Sequence, residues 1–493
     1  MQSSFAVVPE SATIRSRMAR MWLVSVVGKG GAQLVQLVSL VALARLLSPS
    51  DFGLIAMVMA VIGVANIFRD LGLSAATVRA KDISSEQAST LMYVNIGFGA
   101  VMTTIVLGCA PFVAQFYGDE RLTPIAHALA WTFLLGSMGT QHLSLLRRQM
   151  KFAALAWMNL IAVTLGQGVA VFLAFQEFGY WSLVIGTVLT QASKVLMAWT
   201  VNSWRPEKPV FDANVKRMVS FGGNLMIFSL LGYIAFNVHN VVIGWRFGPE
   251  EVGYYNRAFA IVSLLAGYVV GPLSLVAPAA LARMTDEPDR YNETYLNTVA
   301  MMLLLTAPIS FVTAIAAKDI VGLLLGSRWE DSVVIVQILA LGVIPQTLCA
   351  TSGWLYLSHG DSRSMMQWGV GGWGALIVFL IVGASYGTQG VAVAYASGMF
   401  ILLYPCMLMA FRRTSLRFSD LAKRALPIVA PAMISAGPML WFYVAAPDWG
   451  APLRLGVAFL GYGAVYLLLL LVFRQGALLA DVGRQMLQRK AVA

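Results

Sequence analysis

The sequence Arg45-Leu-Leu-Ser-Pro-Ser-Asp-Phe-Gly53 separates two long apolar runs near the start of the chain. The side chains of Ser48, Ser50 and Asp51 are suited to cap the helix that follows. Pro49 has no backbone N–H and prevents the preceding helix from continuing smoothly. The stretch therefore predicts a tight turn between two hydrophobic helices.

The same layout returns about 200 residues later. In Arg246-Phe-Gly-Pro-Glu-Glu-Val-Gly253, an arginine is again followed by a proline, an acidic residue and a glycine four positions after the proline. Long apolar runs lie on both sides of this turn as well. This repetition predicts that the chain contains one structural module used twice.

The composition is that of a membrane protein. Hydrophobic residues make up 58% of the 493 residues and charged residues only 12%, against about 25% charged in typical soluble proteins. Apolar runs of about 20 residues recur along the chain, which is the length needed to cross a hydrocarbon core. We therefore predict an all-α polytopic membrane protein. The net charge of +11 is spread over short loops rather than gathered in one patch, so it gives no indication of nucleic-acid binding.

The hydropathy pattern predicts about fourteen transmembrane helices. The first apolar run is too long for the apolar core of a cleavable signal peptide, so we count it as a span. The predicted spans are 21–47, 52–73, 91–114, 124–146, 153–175, 180–202, 219–245, 250–280, 294–317, 332–357, 364–384, 388–411, 426–446 and 453–473.

The distribution of basic residues predicts the orientation. Of the 34 lysines and arginines, 24 fall in segments on one side of these spans, six on the other side and four within spans. Because basic loops stay in the cytoplasm, the N- and C-termini are both expected there.

The repeat predicts two lobes related by an axis along the membrane normal, as in some transporters. The motif Gly72-Leu-Ser74 after the first turn matches Gly271-Pro-Leu-Ser274 after the second. We expect a cytoplasmic tail at 1–20, an N-lobe at 21–204, a linker at 205–218, a C-lobe at 219–412, a cytoplasmic loop at 413–425, two further helices within 426–473 and a cytoplasmic tail at 474–493.

No catalytic motif is recognisable in the sequence. It contains no Gly-rich phosphate loop ending in Lys and Ser/Thr, no HExxH and no GxSxG. Cys109, Cys349 and Cys406 stand at unrelated spacings, which predicts neither a disulfide framework nor a metal site. We therefore expect a transporter that uses no metal or cofactor.

Basic residues inside the spans are the candidate binding residues. A charge in the membrane is costly unless it faces water, a partner or a ligand. Lys29, Lys194 and Arg257 are therefore candidates for a cationic cavity between the lobes that holds an anionic group. Gln33 and Gln191 lie one turn from the two lysines. Interhelical ion pairs and snorkelling to the interface are the alternative interpretations.

Two further groups are weaker candidates. Arg69 is next to Asp70 near a membrane surface, so local pairing is the favoured interpretation there. Asn237, His239 and Asn240 lie in the seventh span. His239 is either a proton site, because histidine is the side chain that ordinarily titrates near physiological pH, or a packing residue.

These motifs resemble those of Wzx-type polysaccharide flippases, in the multidrug/oligosaccharidyl-lipid/polysaccharide exporter superfamily. Leu43–Gly53 is similar to the first-turn signature of that family. Four further stretches resemble the colanic-acid and succinoglycan exporter branch of this family. They are Phe68-Arg-Asp-Leu-Gly-Leu-Ser74, Ile243-Gly-Trp-Arg-Phe-Gly248, Gly253-Tyr-Tyr-Asn-Arg-Ala258 and Arg148-Gln-Met-Lys-Phe152. The resemblance covers roughly residues 20–412.

The resemblance implies two six-helix lobes in a V-shaped arrangement, plus two C-terminal helices. It implies that undecaprenyl-diphosphate-linked oligosaccharide crosses the bacterial inner membrane by alternating access, for exopolysaccharide or O-antigen assembly. Membrane lipids, a polysaccharide polymerase and a chain-length regulator are further candidate partners. The family often has an acidic residue where His239 stands, which argues against carboxylate-based ion coupling at this position.

Three other functions are considered. A cation-coupled multidrug exporter on the same fold would need acidic residues within the predicted spans of the first lobe, which contain only Asp70, near the end of a span. A lipid II flippase is a closer relative, and its cationic pattern is present only in part. A membrane-embedded glycan polymerase would need a large outer loop, whereas the longest outer loop has about 14 residues.

Overall fold

The computed structural model describes residues 14–70, 73–79, 82–210, 223–445 and 449–473. Within these ranges the chain consists of α-helices and short connections, with no β-strand, so the predicted all-α class is confirmed. The helices are α1 (Ile14–Leu46), α2 (Pro49–Asp70), α3 (Leu73–Arg79), α4 (Ser85–Tyr117), α5 (Leu122–Arg148), α6 (Phe152–Phe175), α7 (Trp181–Val201), α8 (Gly223–Phe247), α9 (Pro249–Ala282), α10 (Pro288–Ile315), α11 (Ala317–Leu324), α12 (Ser332–Leu341), α13 (Val343–Ser358), α14 (Ser362–Gly383), α15 (Gly387–Ala410), α16 (Phe418–Ala445) and α17 (Ala451–Val472).

Helices overlap every predicted span, but the number of membrane crossings is not confirmed as fourteen. In the part of the chain that the structure describes, nine helical stretches are long and apolar enough to cross a membrane, or ten with a bent pair included. One of these stretches, Ser362–Arg413, contains both α14 and α15. The count of fourteen stays a prediction.

The bent pair is the segment that the sequence predicted as one span, 332–357. α12 and α13 meet there at an angle of 49°. Pro345 has no N–H to donate to the carbonyl group of Leu341, which interrupts the helical bonding. The N–H of Gly342 instead donates to the oxygen of Leu339 at 3.0 Å, the tighter spacing of a 3-10 turn.

The described chain divides into two compact units, one ending at Gly253 and one beginning at Tyr254. In the first unit α1 packs on α6, α4 on α5, α6 and α5 on α7, and α8 on α2. In the second unit α10 packs on α16, α14 on α15, and α13 on α15. The predicted lobe boundaries stay a prediction. Residues 1–13 and 474–493 of the predicted tails and 211–218 of the predicted linker lie outside the described residues.

The first repeated turn is held by a reciprocal pair of side chains. The backbone N–H of Asp51 donates to Oγ of Ser48 at 3.2 Å, and the backbone N–H of Ser48 donates to Oδ2 of Asp51 at 2.9 Å. The Ser48 hydroxyl also donates to this carboxylate oxygen at 2.7 Å. This is a capping box, in which two N–H groups at the start of α2 are satisfied at once. The predicted capping by Ser48 and Asp51 is therefore present.

The second repeated turn depends on a glycine instead. Gly248 has a φ of +87°, in the left-handed region that glycine enters without steric cost. Its N–H donates to the carbonyl oxygen of Gly244 at 3.2 Å, which ends α8. Pro249 then occupies the first position of α9, where a missing N–H does no harm.

The two turns touch each other within the first unit, to which the first residues of α9 still belong. A Cβ atom placed on Gly53 would collide with the carbonyl oxygen of Pro249. A Cβ atom placed on Gly253 would collide with the carbonyl oxygen of Pro49. The contact is therefore reciprocal. The glycine that ends each copy of the motif is the residue that lets the two backbones approach.

A segment after α7 is fastened to the beginning of α4. The indole N–H of Trp204 donates to Oγ of Ser85 at 3.0 Å, and the backbone N–H of Glu207 donates to Oγ of Ser89 at 2.8 Å. The predicted linker at 205–218 thus begins with residues bound to the N-lobe helices. The hydroxyl groups in the first turns of α4 explain why this segment has a fixed course.

Two polar contacts attach the last two helices to the second unit. Arg454 at the start of α17 donates from Nε to Oδ2 of Asp319 at 2.7 Å, and Asp319 is only 3% exposed. Arg424 in α16 donates to the side-chain oxygen of Asn297 in α10. Buried Tyr462 adds a hydrogen bond from its hydroxyl to the oxygen of Ala432 at 2.7 Å, which joins α17 to α16.

Candidate functional site

The predicted site residues of α7 share one side of the helix. Gln191 and Lys194 are three positions apart, which places them on the same face. Both side chains are half-buried. An 18-residue window within Trp181–Val201 has a mean hydropathy of 1.3, high enough for a membrane span. α7 therefore carries a partly sheltered cation within an apolar segment.

The candidates of α1 are only partly described. Lys29 and Gln33 are four positions apart on the helix, so their Cα atoms lie on one face. The side chain of Gln33 is exposed, whereas the side chain of Lys29 lies outside the described residues. The proximity of Lys29 to Lys194 stays a prediction.

Arg257 lies on α9, two helical turns after the second repeated turn. Its side chain is half-buried, and its guanidinium donates to Oδ1 of Asn256 at 2.8 Å. It belongs to the second unit, while Gln191 and Lys194 belong to the first. The predicted cavity that would join these residues is therefore not tested.

The polar residues of α8 serve partly to position the helix. The side-chain amide of Asn237 donates to the backbone oxygen of Tyr233 at 2.9 Å. The Tyr233 hydroxyl donates to the oxygen of Met59 in α2 at 2.5 Å. His239 and Asn240 are 1% and 3% exposed. The Asn237 amide therefore bonds within its own helix, and both interpretations of His239, a proton site or a packing residue, stay predictions.

Arg69 and Asp70 occupy the last two positions of α2. Their side chains lie outside the described residues, so the predicted local pairing is not tested. Their backbone placement agrees with a position at the end of a span.

One polar cluster was missed by sequence reasoning. His142 is fully buried in α5, with its ring centre 4.4 Å from that of Trp199 and 5.0 Å from that of Trp204. Its backbone oxygen accepts a hydrogen bond from the Asn202 side chain at 3.3 Å. The sequence gives no signal of this cluster, because His142 and Asn202 are 60 positions apart and are brought together only by packing.

Outside the spans, the loop after α4 carries a local ion pair. The Asp119 carboxylate accepts hydrogen bonds from Nε of Arg121 at 3.0 Å and from a terminal guanidinium nitrogen at 2.7 Å. These bonds hold the pKa of Asp119 below its usual value. The charges of Asp119 and Arg121 thus pair with each other within the loop.

An apolar groove opens on the second unit between α9, α10 and α17. Its cavity volume is about 640 Å³. The lining is aliphatic and aromatic, and Tyr268, Pro272, Pro308, Tyr462 and Tyr466 are among its members. Such a groove suits a flexible hydrocarbon chain rather than a polar group.

The charged groups that the described spans offer are mainly cations on apolar helices. The described residues contain no group of three or more His, Cys, Asp or Glu side chains placed to hold a metal ion. Half-buried cations on apolar helices suit an anionic group, since charge pairing offsets the cost of keeping them in the membrane.

The chain is similar to proteins of polysaccharide assembly. It is 28% identical to the teichuronic acid biosynthesis protein TuaB of Bacillus subtilis (strain 168) over 62% of this chain and 64% of the relative. It is 24% identical to the succinoglycan biosynthesis transport protein ExoT of Rhizobium meliloti (strain 1021) over 66% of each chain. The matched region spans less than two thirds of the length of either relative.

The fold is similar to that of the lipid II flippase MurJ in its inward closed conformation. The TM-score is 0.75, and the match covers 92% of this chain and 99% of the other at 14% sequence identity. This likeness supports the multi-pass helical fold.

Residues 42–334, more than half of the chain, match the family described as polysaccharide biosynthesis protein. The resemblance drawn from the repeated turn and its neighbouring motifs is thereby confirmed, and the chain belongs to the polysaccharide biosynthesis protein family.

Proposed function

We propose that the protein is a flippase for undecaprenyl-diphosphate-linked oligosaccharide in exopolysaccharide or O-antigen assembly. It works by alternating access in a bacterial inner membrane, with both termini in the cytoplasm. The observation that carries the proposal is the pair of half-buried cations, Lys194 and Arg257, on apolar helices of a polysaccharide biosynthesis protein. The names of ExoT, a transport protein, and of MurJ, a flippase, support it.

The anionic part of this substrate matches the cations. A diphosphate presents several charged oxygens, and charge-assisted hydrogen bonds to Lys and Arg are about twice as strong as neutral ones. Lys29, Lys194 and Arg257 bind the diphosphate, while Gln33 and Gln191 bind the first sugars. The cations thus have a use that justifies their position in the membrane.

The prenyl tail does not need to enter the polar site. It stays among the lipids, and the apolar groove beside α17 offers one place where it rests against the protein. Because lipid tails are as apolar as this groove, contact there adds van der Waals packing rather than a hydrophobic gain. A polymerase and a chain-length regulator receive the product on the outer side.

A cation-coupled drug exporter is the second candidate, because it uses the same superfamily fold. The helices α1, α5, α6 and α7 contain no acidic residue. In α2 the acids Asp51 and Asp70 stand near the two ends, and in α4 Glu86 stands in the first turn. No carboxylate is therefore present mid-span in these helices to bind a coupling cation. A lipid II flippase is the third candidate, because the fold is similar to that of MurJ.

A deletion strain tests the proposal directly. Loss of the gene is expected to abolish surface polysaccharide and to leave lipid-linked oligosaccharide in the inner leaflet. Complementation with Lys29→Gln/Lys194→Gln is expected to restore protein in the membrane but to reduce export at least about tenfold, because two charge-assisted contacts are lost. Lys318→Gln, which removes an exposed cation at the start of α11, is the matched control. Full export by the double variant at normal protein level would refute the cationic site.

A further inference from the structure

Exposed basic side chains gather at one end of the second unit, where α15 ends and α16 begins. We call this set the basic edge. All its members are exposed, and they belong to the α15–α16 connection, to the first turns of α16 and to the first turn of α14: Arg363, Arg412, Arg413, Arg417 and Lys423.

The basic edge has a fixed backbone. Phe411 is buried, and its ring meets that of Tyr295 edge to face at 6.0 Å, which anchors the turn that carries Arg412. The side chain of Asn292 in α10 donates to Oγ of Ser415 at 2.6 Å. The basic side chains are therefore presented from an ordered turn.

The two carboxylates beside the basic edge already accept hydrogen bonds from nearby residues. Asp361 accepts from Nε of Arg413 at 2.8 Å and from Oγ of Ser364 at 2.8 Å, at the start of α14. Asp420 accepts from the backbone N–H of Arg417 at 2.9 Å, at the start of α16. Their charges stabilise helix ends and one guanidinium. The remaining cations give the edge an excess of positive charge.

The start of α10 on the same end of the unit has the opposite character. Its exposed acids are Asp286, Glu287, Asp289 and Glu293. The one basic residue among them, Arg290, pairs with Glu287 at 3.1 Å. The hydrogen bond between Asn292 and Ser415 joins this acidic start to the basic edge. The end of the unit is therefore divided into a basic and an acidic side.

The basic edge lies directly beyond an apolar helix. Within the stretch Ser362–Arg413, an 18-residue window reaches a mean hydropathy of 1.9, that of a membrane span, and Arg412 and Arg413 close the stretch. Side chains at this position reach the layer of lipid headgroups. Clusters of basic residues next to a span bind anionic lipids electrostatically.

We propose that the basic edge binds the headgroups of anionic phospholipids, and that the acidic start of α10 keeps such lipids off the neighbouring side. The site rests on the membrane assignment and not on the transported substrate. A failure of the flippase proposal therefore leaves it unaffected.

The test is lipid titration of the purified full-length protein in detergent, followed by native mass spectrometry. Phosphatidylglycerol is expected to bind about tenfold more tightly than phosphatidylcholine. Added salt is expected to reduce the difference, because it screens exposed charges. Arg412→Gln/Arg417→Gln is expected to remove most of the preference, since neither side chain is needed to hold the turn.

The matched control is Arg283→Gln/Arg290→Gln, which also removes two exposed cations, one from the turn after α9 and one from the acidic start of α10. It is expected to leave the preference unchanged, and both variants should unfold at the wild-type temperature. Equal binding of the two lipids by the wild type, or equal losses in the two variants, overturns the proposal. Displacement of phosphatidylglycerol by millimolar inorganic phosphate would make this a phosphate site. Binding of a polyglutamate peptide in preference to lipid would make it a protein site, and either outcome also overturns the proposal.

Discussion

The two repeated turns have the same layout and different chemistry. At the first turn, Ser48 and Asp51 exchange hydrogen bonds and satisfy the start of α2. At the second turn, the left-handed Gly248 ends α8 and Pro249 opens α9. The shared features are the proline and the final glycine. A repeat therefore preserves the course of the backbone, while the means of ending and starting the helices differ.

The glycine at the last position has the same structural role in both turns. Gly53 and Gly253 each lie against the carbonyl group of the other turn's proline. A carbonyl oxygen in the first turn of a helix has little freedom to move aside. The residue type at the last position of the motif is therefore determined by contact between the turns. The residue types at the first positions are determined by helix capping.

The largest effect is expected from adding a methyl group at the contact. Gly53→Ala and Gly253→Ala should each lower the free energy of unfolding by about 1–3 kcal/mol, the usual cost of overpacking. Thermal unfolding in detergent measures this. Gly97→Ala in α4 is the control, because no atom lies within 4 Å of the added Cβ. The contact between the turns would be disproved if all three variants unfolded alike.

A smaller effect, specific to the second turn, is expected from Gly248→Ala. An L-residue in the left-handed region costs roughly 1–2 kcal/mol, so the unfolding temperature should fall. Gly232→Ala in α8, where nothing lies within 4 Å of the added Cβ, serves as the control. Equal stability of the two variants would mean that α8 does not need the left-handed ending.

The smallest effect is expected at the first turn from Ser48→Ala. Loss of a helix cap costs about 1 kcal/mol, and the partner carboxylate of Asp51 is left with one contact fewer. Ser50→Ala, two positions on, is the control for removing a hydroxyl. A stability loss from Ser50→Ala as large as that from Ser48→Ala would contradict the capping box as the source.

Sequence reasoning captured the features that depend on neighbouring residues. Apolar length predicted the helices, and the Ser48–Asp51 pair predicted the start of α2, since both effects act within one helical turn. The bend at Gly342 was not predicted, because the apolar pattern runs through it without change. The contact between the turns that end at Gly53 and Gly253 could not be predicted either, because it depends on packing between segments about 200 residues apart.

The candidate site also combines features that the local sequence reveals with features that depend on packing. Hydropathy was sufficient to single out Lys194 and Arg257 as unusual, because a charge in an apolar run is visible locally. Whether the two side chains converge depends on the arrangement of separate units, which local patterns do not encode. The hydrogen bond from the Tyr233 hydroxyl to the oxygen of Met59, 174 residues away in the sequence, likewise became visible only in the folded chain.

The contact of Asp319 with Arg454 has a consequence for truncation experiments. Removing α16 and α17 would delete the partner of a carboxylate that is 3% exposed, and an unpaired buried charge is strongly destabilising. It would also uncover the apolar surface of α10. A shortened protein that fails in export would therefore report misfolding of the second unit, and only point substitutions in α17 are able to reveal what that helix does for the substrate.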